Sequence, residues 1–352
     1  MNFKQLLKNK NVEISAKKYG IDAMGAMAQG LFASLLVGTI LETLGTQLGM
    51  EWLKEIGGFA KSVSGPAMAI SIAYALSAPM LVMFSLAAVG FAANSLGGAG
   101  GPLAVLIISI IATEIGKLVS KTTKIDILVT PVVTICVGGL LSQWCAPYIG
   151  AAASSVGNTI MWATNQQPLI MGIFVSVIVG IALTLPISSA AICAALGLTG
   201  LAGGAAVAGC SAQMIGFAVM SFKENKWGGL IAQGIGTSML QMGNIIKNPK
   251  VWIPPILTSA ITGPLATCLF KLEMNGAAVS SGMGTCGLVG QIGVYSGWIS
   301  DVEKGLKVAI TGFDWFGLIL ISFILPAVLT YIFSYILRKI GWIKENDLKL
   351  DI

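Results

Sequence analysis

Residues 315–337 read WFGLILISFILPAVLTYIFSYIL, and this run decides the fold. No charged side chain interrupts it. At 1.5 Å per residue a helix over this stretch would be about 35 Å long, enough to cross a hydrocarbon core of about 30 Å. Trp315 stands at one end, and Tyr335, followed by Arg338 and Lys339, at the other. Aromatic rings and basic side chains in those places anchor a helix at the two membrane interfaces, and the basic end marks the cytoplasmic side.

Working outward from that run, apolar stretches of similar length lie at 23–48, 65–94, 102–120, 127–149, 168–196, 202–222 and 251–272. With 313–337 they predict an all-α polytopic membrane protein of about eight transmembrane helices. The composition agrees: 55% of the 352 residues are hydrophobic and 10% charged, against about 25% charged in soluble domains. The 44 glycines fall largely inside apolar runs, where they let helix backbones approach closely. Pro79 is the place where the long second stretch would split. Three further stretches, 151–166, 228–246 and 276–297, are too polar or too glycine-rich for plain spans and predict interfacial or re-entrant segments. Irregular backbone is tolerated at membrane depth only where protein or a watery cavity satisfies it, so such segments point to a permeation site.

Lys4, Lys8, Lys10, Lys17 and Lys18 precede the first span with no signal-peptide core before them, so 1–19 reads as a basic cytoplasmic tail. Residues 341–352 read as a second cytoplasmic tail, and two cytoplasmic ends require an even number of spans. Lys223, Lys226, Lys247 and Lys250 fall on the side this topology makes cytoplasmic, whereas Lys117, Lys121 and Lys124 fall on the other. The net charge of +6 therefore speaks to orientation in a lipid bilayer, and no nucleic-acid-binding pattern accompanies it.

The chain has no histidine, which excludes histidine acid–base chemistry, histidine metal ligation and a phosphohistidine within it. Cys136, Cys145, Cys193, Cys210, Cys268 and Cys286 form no CxxC pair and read as small apolar residues. No triad, paired carboxylates or phosphate-binding lysine motif is present, so neither an enzyme nor a metal or cofactor site is indicated.

Residues 20–340 read as one transmembrane domain, and a weak internal repeat lies within it. Ala75, Leu76, Pro79 and Gly90 recur as Ala182, Leu183, Pro186 and Gly197. Pro131, Thr134, Gly139 and Leu141 recur as Pro255, Thr258, Gly263 and Leu265. Gly150, Ala151, Ala152, Ser154 and Ser155 recur as Gly276, Ala277, Ala278, Ser280 and Ser281. The units implied are 65–157 and 172–284, three spans apart and so of opposite orientation, an inverted repeat of the kind used by transporters.

Polar side chains inside apolar runs are the candidate solute ligands, because hydrocarbon tolerates them only in a bundle interior, at a cavity or against a partner. Thr184, Ser188 and Ser189 flank Pro186, where the helix loses a backbone N–H; alternatively their hydroxyls bond back to their own helix. Gln213 stands in an apolar run and either meets the solute or joins two helices. Gln233, Thr237, Gln241 and Asn244, spaced four, four and three apart, would share one helix face that lines a pathway or meets water at the interface. Ser280, Ser281 and Thr285, with Gln291, lie in the glycine-rich stretch. Asp22 and Glu42 mark the two ends of the first span. Glu114 and Lys117, three apart, form either a snorkelling interfacial pair or a proton-coupling site.

The runs 182–190 (ALTLPISSA), 209–218 (GCSAQMIGFA), 230–241 (LIAQGIGTSMLQ) and 282–290 (GMGTCGLVG) resemble the EIIC-like membrane proteins, the phosphotransferase-system EIIC type 2 group that includes perfringolysin toxin-regulator-like members. The resemblance covers most of the chain. It implies a bacterial plasma membrane, a sugar or small organic solute and a homodimer. With no phosphate-carrying domain fused to the membrane part, it also implies a separate phosphotransferase or regulatory protein as partner; the histidine that glucose-type EIIC subunits place near the sugar is missing here. The reading is a multi-pass transporter working by alternating access. Its rival, implied by the toxin-regulator members, is a membrane-embedded ligand sensor whose output surfaces would be the two tails.

Overall fold

The computed structural model describes residues 5, 7 and 9–350, so Lys4 and Lys8 of the N-terminal stretch lie outside the described residues. Those described residues are helical, with one isolated bridge between Gly200 and Met274 and no strand. Six runs are long and apolar enough to cross a membrane: Lys18–Leu48, Met80–Val119, Asp126–Thr164, Gly200–Met220, Pro249–Leu269 and Gly312–Lys339. The apolar helix Pro168–Thr184 is slightly shorter. The molecule is a polytopic helical membrane protein, in two compact units, Met1–Ala153 and Ser154–Ile352.

In the first unit α1 (Lys18–Leu48) is one run interrupted by π turns at Lys18–Asp22 and Phe32–Leu36. Left-handed Gly49 (φ +67°) ends it, and α2 (Glu51–Ser62), a helix the hydropathy pattern did not predict, folds back along it. The two touch backbone to backbone at Gly38 and Gly57, and Lys61 pairs with Glu42, so Glu42 is tied to a neighbouring helix short of the end of α1.

The span expected at 65–94 is instead two antiparallel helices. α3 (Ser64–Ala75) and α4 (Met80–Gly97) are joined by a turn with Ser77 at φ +55° and Pro79 as N-cap. Gly65 and Gly90 face each other so closely that a methyl on either would overlap the other's carbonyl oxygen. Twelve residues of α3 make about 18 Å of helix, too short to cross. α5 (Gly101–Val119) returns along α4, pairing Gly97 with Ala104 and Gly116 with Val82, so Met80–Val119 comprises two helices.

The Glu114–Lys117 pair forms at 3.0 Å, but Lys117 is only 2% exposed and its Nζ donates to the carbonyl of Leu76 in the α3–α4 turn. The pair is a buried clamp on a helix break, which corrects the expectation of an interfacial snorkelling pair. α6 (Asp126–Thr164) is a single helix of 39 residues that takes in 151–164 of the 151–166 stretch, and the boundary between the units falls within it.

The core of the second unit is three helices. α7 (Pro168–Thr184) and α9 (Gly200–Met220) run parallel, and α12 (Pro249–Leu269) runs antiparallel to both. The small residues set the approach: Gly172 meets Pro264, Gly180 meets Gly209, and Ser176 Oγ donates to Ser259 O at 2.7 Å. α14 (Gly312–Lys339) covers α9 and α12, with Thr330 Oγ1 2.8 Å from Thr258 Oγ1. The second long span, 168–196, is also broken. α7 ends at Thr184, Leu185 is extended, and α8 (Ser189–Leu196) is an eight-residue helix closed by left-handed Gly197. With α10 (Phe222–Ile231), α11 (Met242–Lys247) and α13 (Val289–Glu303), the remaining chain is a chain of short helices and turns packed on α9.

Candidate functional site

Most candidate residues of the sequence gather in the second unit around α9, in three groups. The first surrounds Gln213, which is fully buried. Its Oε1 accepts from Trp252 Nε1 at 2.9 Å, and its Nε2 donates to Ser259 Oγ at 3.4 Å. Thr184 Oγ1 lies 3.4 Å from the same Oε1 and 2.8 Å from Ser238 Oγ. The amide joins α7, α9 and α12 and spends its polar groups on them, as a buried amide must when no water is at hand. Ser238, Trp252 and Ser259 complete this network and were not foreseen; no periodicity marks them.

The second group is built from two interrupted segments, 185–199 around the short helix α8 and 276–291, where two 3-10 turns (Ala278–Gly282 and Cys286–Leu288) lead into α13. Ser188 caps α8, accepting from Ala191 N at 3.2 Å. Ser189 Oγ donates to Gly282 O at 2.7 Å, and Ser281 Oγ answers by donating to Leu198 O at 2.5 Å. The two segments are thus stitched together through carbonyls that no helix uses. A methyl on Gly282 or Gly284 would meet backbone atoms of Ser189 or of Cys210 and Ser211, so only glycine permits this approach. Ser280 packs against Gly293. Thr285 Oγ1 donates to Gly234 O at 2.6 Å.

Gln291, in the first turn of α13, donates from Nε2 to Ser211 Oγ at 3.2 Å. Its Oε1 is buried and accepts no hydrogen bond. The chain just before it is less enclosed: Gly287 and Leu288 both take left-handed φ, and the Leu288 side chain is 41% exposed. Few buried amide oxygens lack a partner, and each calls for a specific account.

The third group corrects an expectation. Gln233, Thr237, Gln241 and Asn244 do not share one helix face, because Thr237 is extended (φ −160°, ψ 142°) between a π turn at Ala232–Gly236 and a 3-10 turn at Ser238–Gln241. Nor do they present a polar face to water, since Gln233 and Gln241 are fully buried. Thr237 serves as a cap, accepting from Met239 N. The three amides nevertheless meet: Gln241 Nε2 donates to Gln233 Oε1 and Asn244 Nδ2 to Gln241 Oε1, both at 2.8 Å. Gln233 Nε2 in turn donates to Ser221 Oγ at 2.9 Å.

The family model described as "Phosphotransferase system, EIIC" matches residues 21–350. Neither a curated protein nor a solved structure matches the chain.

Proposed function

Because the chain belongs to the phosphotransferase-system EIIC family, whose members are membrane components of sugar transport, we propose that its second unit carries a sugar past the stitched segments 185–199 and 276–291. The observation that carries this reading is the unpartnered Oε1 of Gln291 beside two stretches of irregular backbone. A sugar hydroxyl is both donor and acceptor. As a donor it satisfies Oε1, which a simple anion cannot do.

In this reading Ser188, Ser189, Ser280, Ser281 and Thr285 shape the wall, and Gln213 with Thr184 holds the helices around it. Gln233, Thr237, Gln241 and Asn244 lie to one side. Alternating access would move one repeat unit, 65–157 or 172–284, against the other, with the breaks at Pro79 and Pro186 as yielding points and a homodimer as scaffold. The phosphoryl group would come from separate proteins on the cytoplasmic side of a bacterial plasma membrane, the side on which both termini would lie. The sensor alternative draws no support from the C-terminal stretch, which is engaged by the second unit.

The test is equilibrium binding of a panel of radiolabelled sugars and polyols to the purified protein and to Gln291→Ala. Loss of one neutral hydrogen bond, about 1–1.5 kcal/mol, weakens binding about tenfold. Equal affinity in both proteins would remove Gln291 from the site.

A further inference from the structure

The apolar run of α14 ends at Leu337 and is followed by Arg338 and Lys339, the order in which a spanning helix leaves hydrocarbon for the headgroup region. A cavity of about 580 Å³ lies at that end of the second unit, between α14, the last turn of α9 and α10. Phe222, Leu230 and Tyr331 give it apolar walls, and Tyr331 is 59% exposed, so the groove is open along α14. The charged residues that line it, Lys223, Lys226 and Arg338, are all basic. The result is an apolar slot with cations beside it, set where hydrocarbon gives way to headgroups.

Each of the three cations keeps capacity for a further partner. Arg338 Nη2 donates to Glu224 Oε1 at 2.7 Å and to Met220 O at 3.3 Å, which fixes the guanidinium and leaves Nε and Nη1 without acceptors among the described residues. Lys223 is engaged only in an exposed ion pair with Glu345, worth little. The Lys226 ammonium has no ion-pair or hydrogen-bond partner among the described residues. Its backbone stands at φ +51°, ψ −150°, inside α10, a conformation that suits glycine and costs any residue with a side chain. A lysine held there at a cost, and unpartnered within the chain, has its charge available to a ligand.

We propose that this cavity binds an anionic diacyl phospholipid, with the phosphate between Arg338, Lys223 and Lys226 and an acyl chain along Phe222, Leu230 and Tyr331. Charge complementarity selects the occupant. The planar guanidinium offers its free N–H groups as a fork to phosphate oxygens, and the two lysines add positive charge. A zwitterionic lipid would bring its own cation into this basic surround, and a free phosphate would leave the apolar walls uncovered.

Native mass spectrometry of the delipidated full-length protein in detergent, titrated with dioleoyl-phosphatidylglycerol, dioleoyl-phosphatidylcholine and glycerol 3-phosphate, tests this. A basic side chain near an anionic lipid surface contributes about fivefold in affinity, so phosphatidylglycerol should bind at least about tenfold more tightly than phosphatidylcholine. Millimolar glycerol 3-phosphate should not displace it. Lys226→Gly, which removes the charge and relieves the backbone, should weaken phosphatidylglycerol binding about fivefold, and Lys223→Gln with Lys226→Gly about 25-fold, with phosphatidylcholine binding unchanged in both. Where the double variant does not fold, Lys226→Gly alone is read. Equal affinity for the two lipids, or undiminished phosphatidylglycerol binding by Lys226→Gly, would overturn the proposal. So would displacement by glycerol 3-phosphate, which would make this a free-phosphate site, or a dimer that takes up no lipid, which would give the groove to a second copy of the chain.

Discussion

Replacing Gly209 by alanine should lower the stability of the second unit by about 3 kcal/mol, the upper end of what overpacking costs, and valine at that position should prevent its assembly. A methyl built on Gly209 overlaps the backbone carbonyl of Ser176, and the Gly209 carbonyl itself lies against Gly180. No rotamer change relieves a clash with backbone. α7 and α9 would have to separate, taking with them the Ser176–Ser259 and Gln213–Ser259 hydrogen bonds that tie α12 to the pair. Thermal unfolding in detergent, followed by tryptophan fluorescence, measures the loss. Gly139→Ala is the control, because nothing lies within 4 Å of the added carbon. In helix α6 that change removes only glycine's helix penalty and should be neutral or stabilising by up to about 1 kcal/mol.

The second large effect belongs to the first unit. Lys117→Met should destabilise it by about 3–5 kcal/mol, since it strands the Glu114 carboxylate without its partner and the Leu76 carbonyl without its donor. Adding Glu114→Gln to Lys117→Met should recover most of that loss, because a neutral amide is far cheaper to bury than a lone carboxylate. The comparison of single and double variants, by the same thermal unfolding, separates a structural clamp from a proton-coupling group. A double variant that folds normally yet loses proton-dependent transport would assign Glu114 to coupling.

The membrane fold was legible because composition and run length are properties of the solvent the chain must meet. The uninterrupted run 315–337 became α14, and 102–120, 202–222 and 251–272 were placed within three residues of the helices found. Breaks were harder. Hydropathy cannot distinguish one span from a tight hairpin of two apolar helices, so 65–94 looked continuous although Pro79 marked its turn. α2 was missed because its sequence, EWLKEIGGFAKS, is charged on one side, and its burial against α1 rests on Gly38 and Gly57, which no periodicity links.

At the candidate site the residue types were visible and their partners were not. Gln213 stood out as an amide in an apolar run, but Trp252 and Ser259 reach it over 39 and 46 residues of sequence. The regular spacing of Gln233, Gln241 and Asn244 suggested a helix face. The structure brings the same three side chains together by a different route, across a break at the extended Thr237, with the C-terminal segment supplying further acceptors to Gln241 and Asn244. Spacing arguments assume an unbroken helix, and in this chain the polar residues accompany the breaks.

Sugar flux tests the central claim most directly. The purified protein is reconstituted into proteoliposomes that enclose the cytoplasmic phosphotransferase components of a bacterial extract with phosphoenolpyruvate, and each of a panel of labelled sugars is added outside. The account predicts that one sugar enters and is retained as its phosphate, and that Gln291→Ala takes it up with a KM about tenfold higher at unchanged protein stability. A folded, reconstituted protein that moves no sugar with that complete system present, or a Gln291→Ala variant indistinguishable from the natural chain, would contradict it.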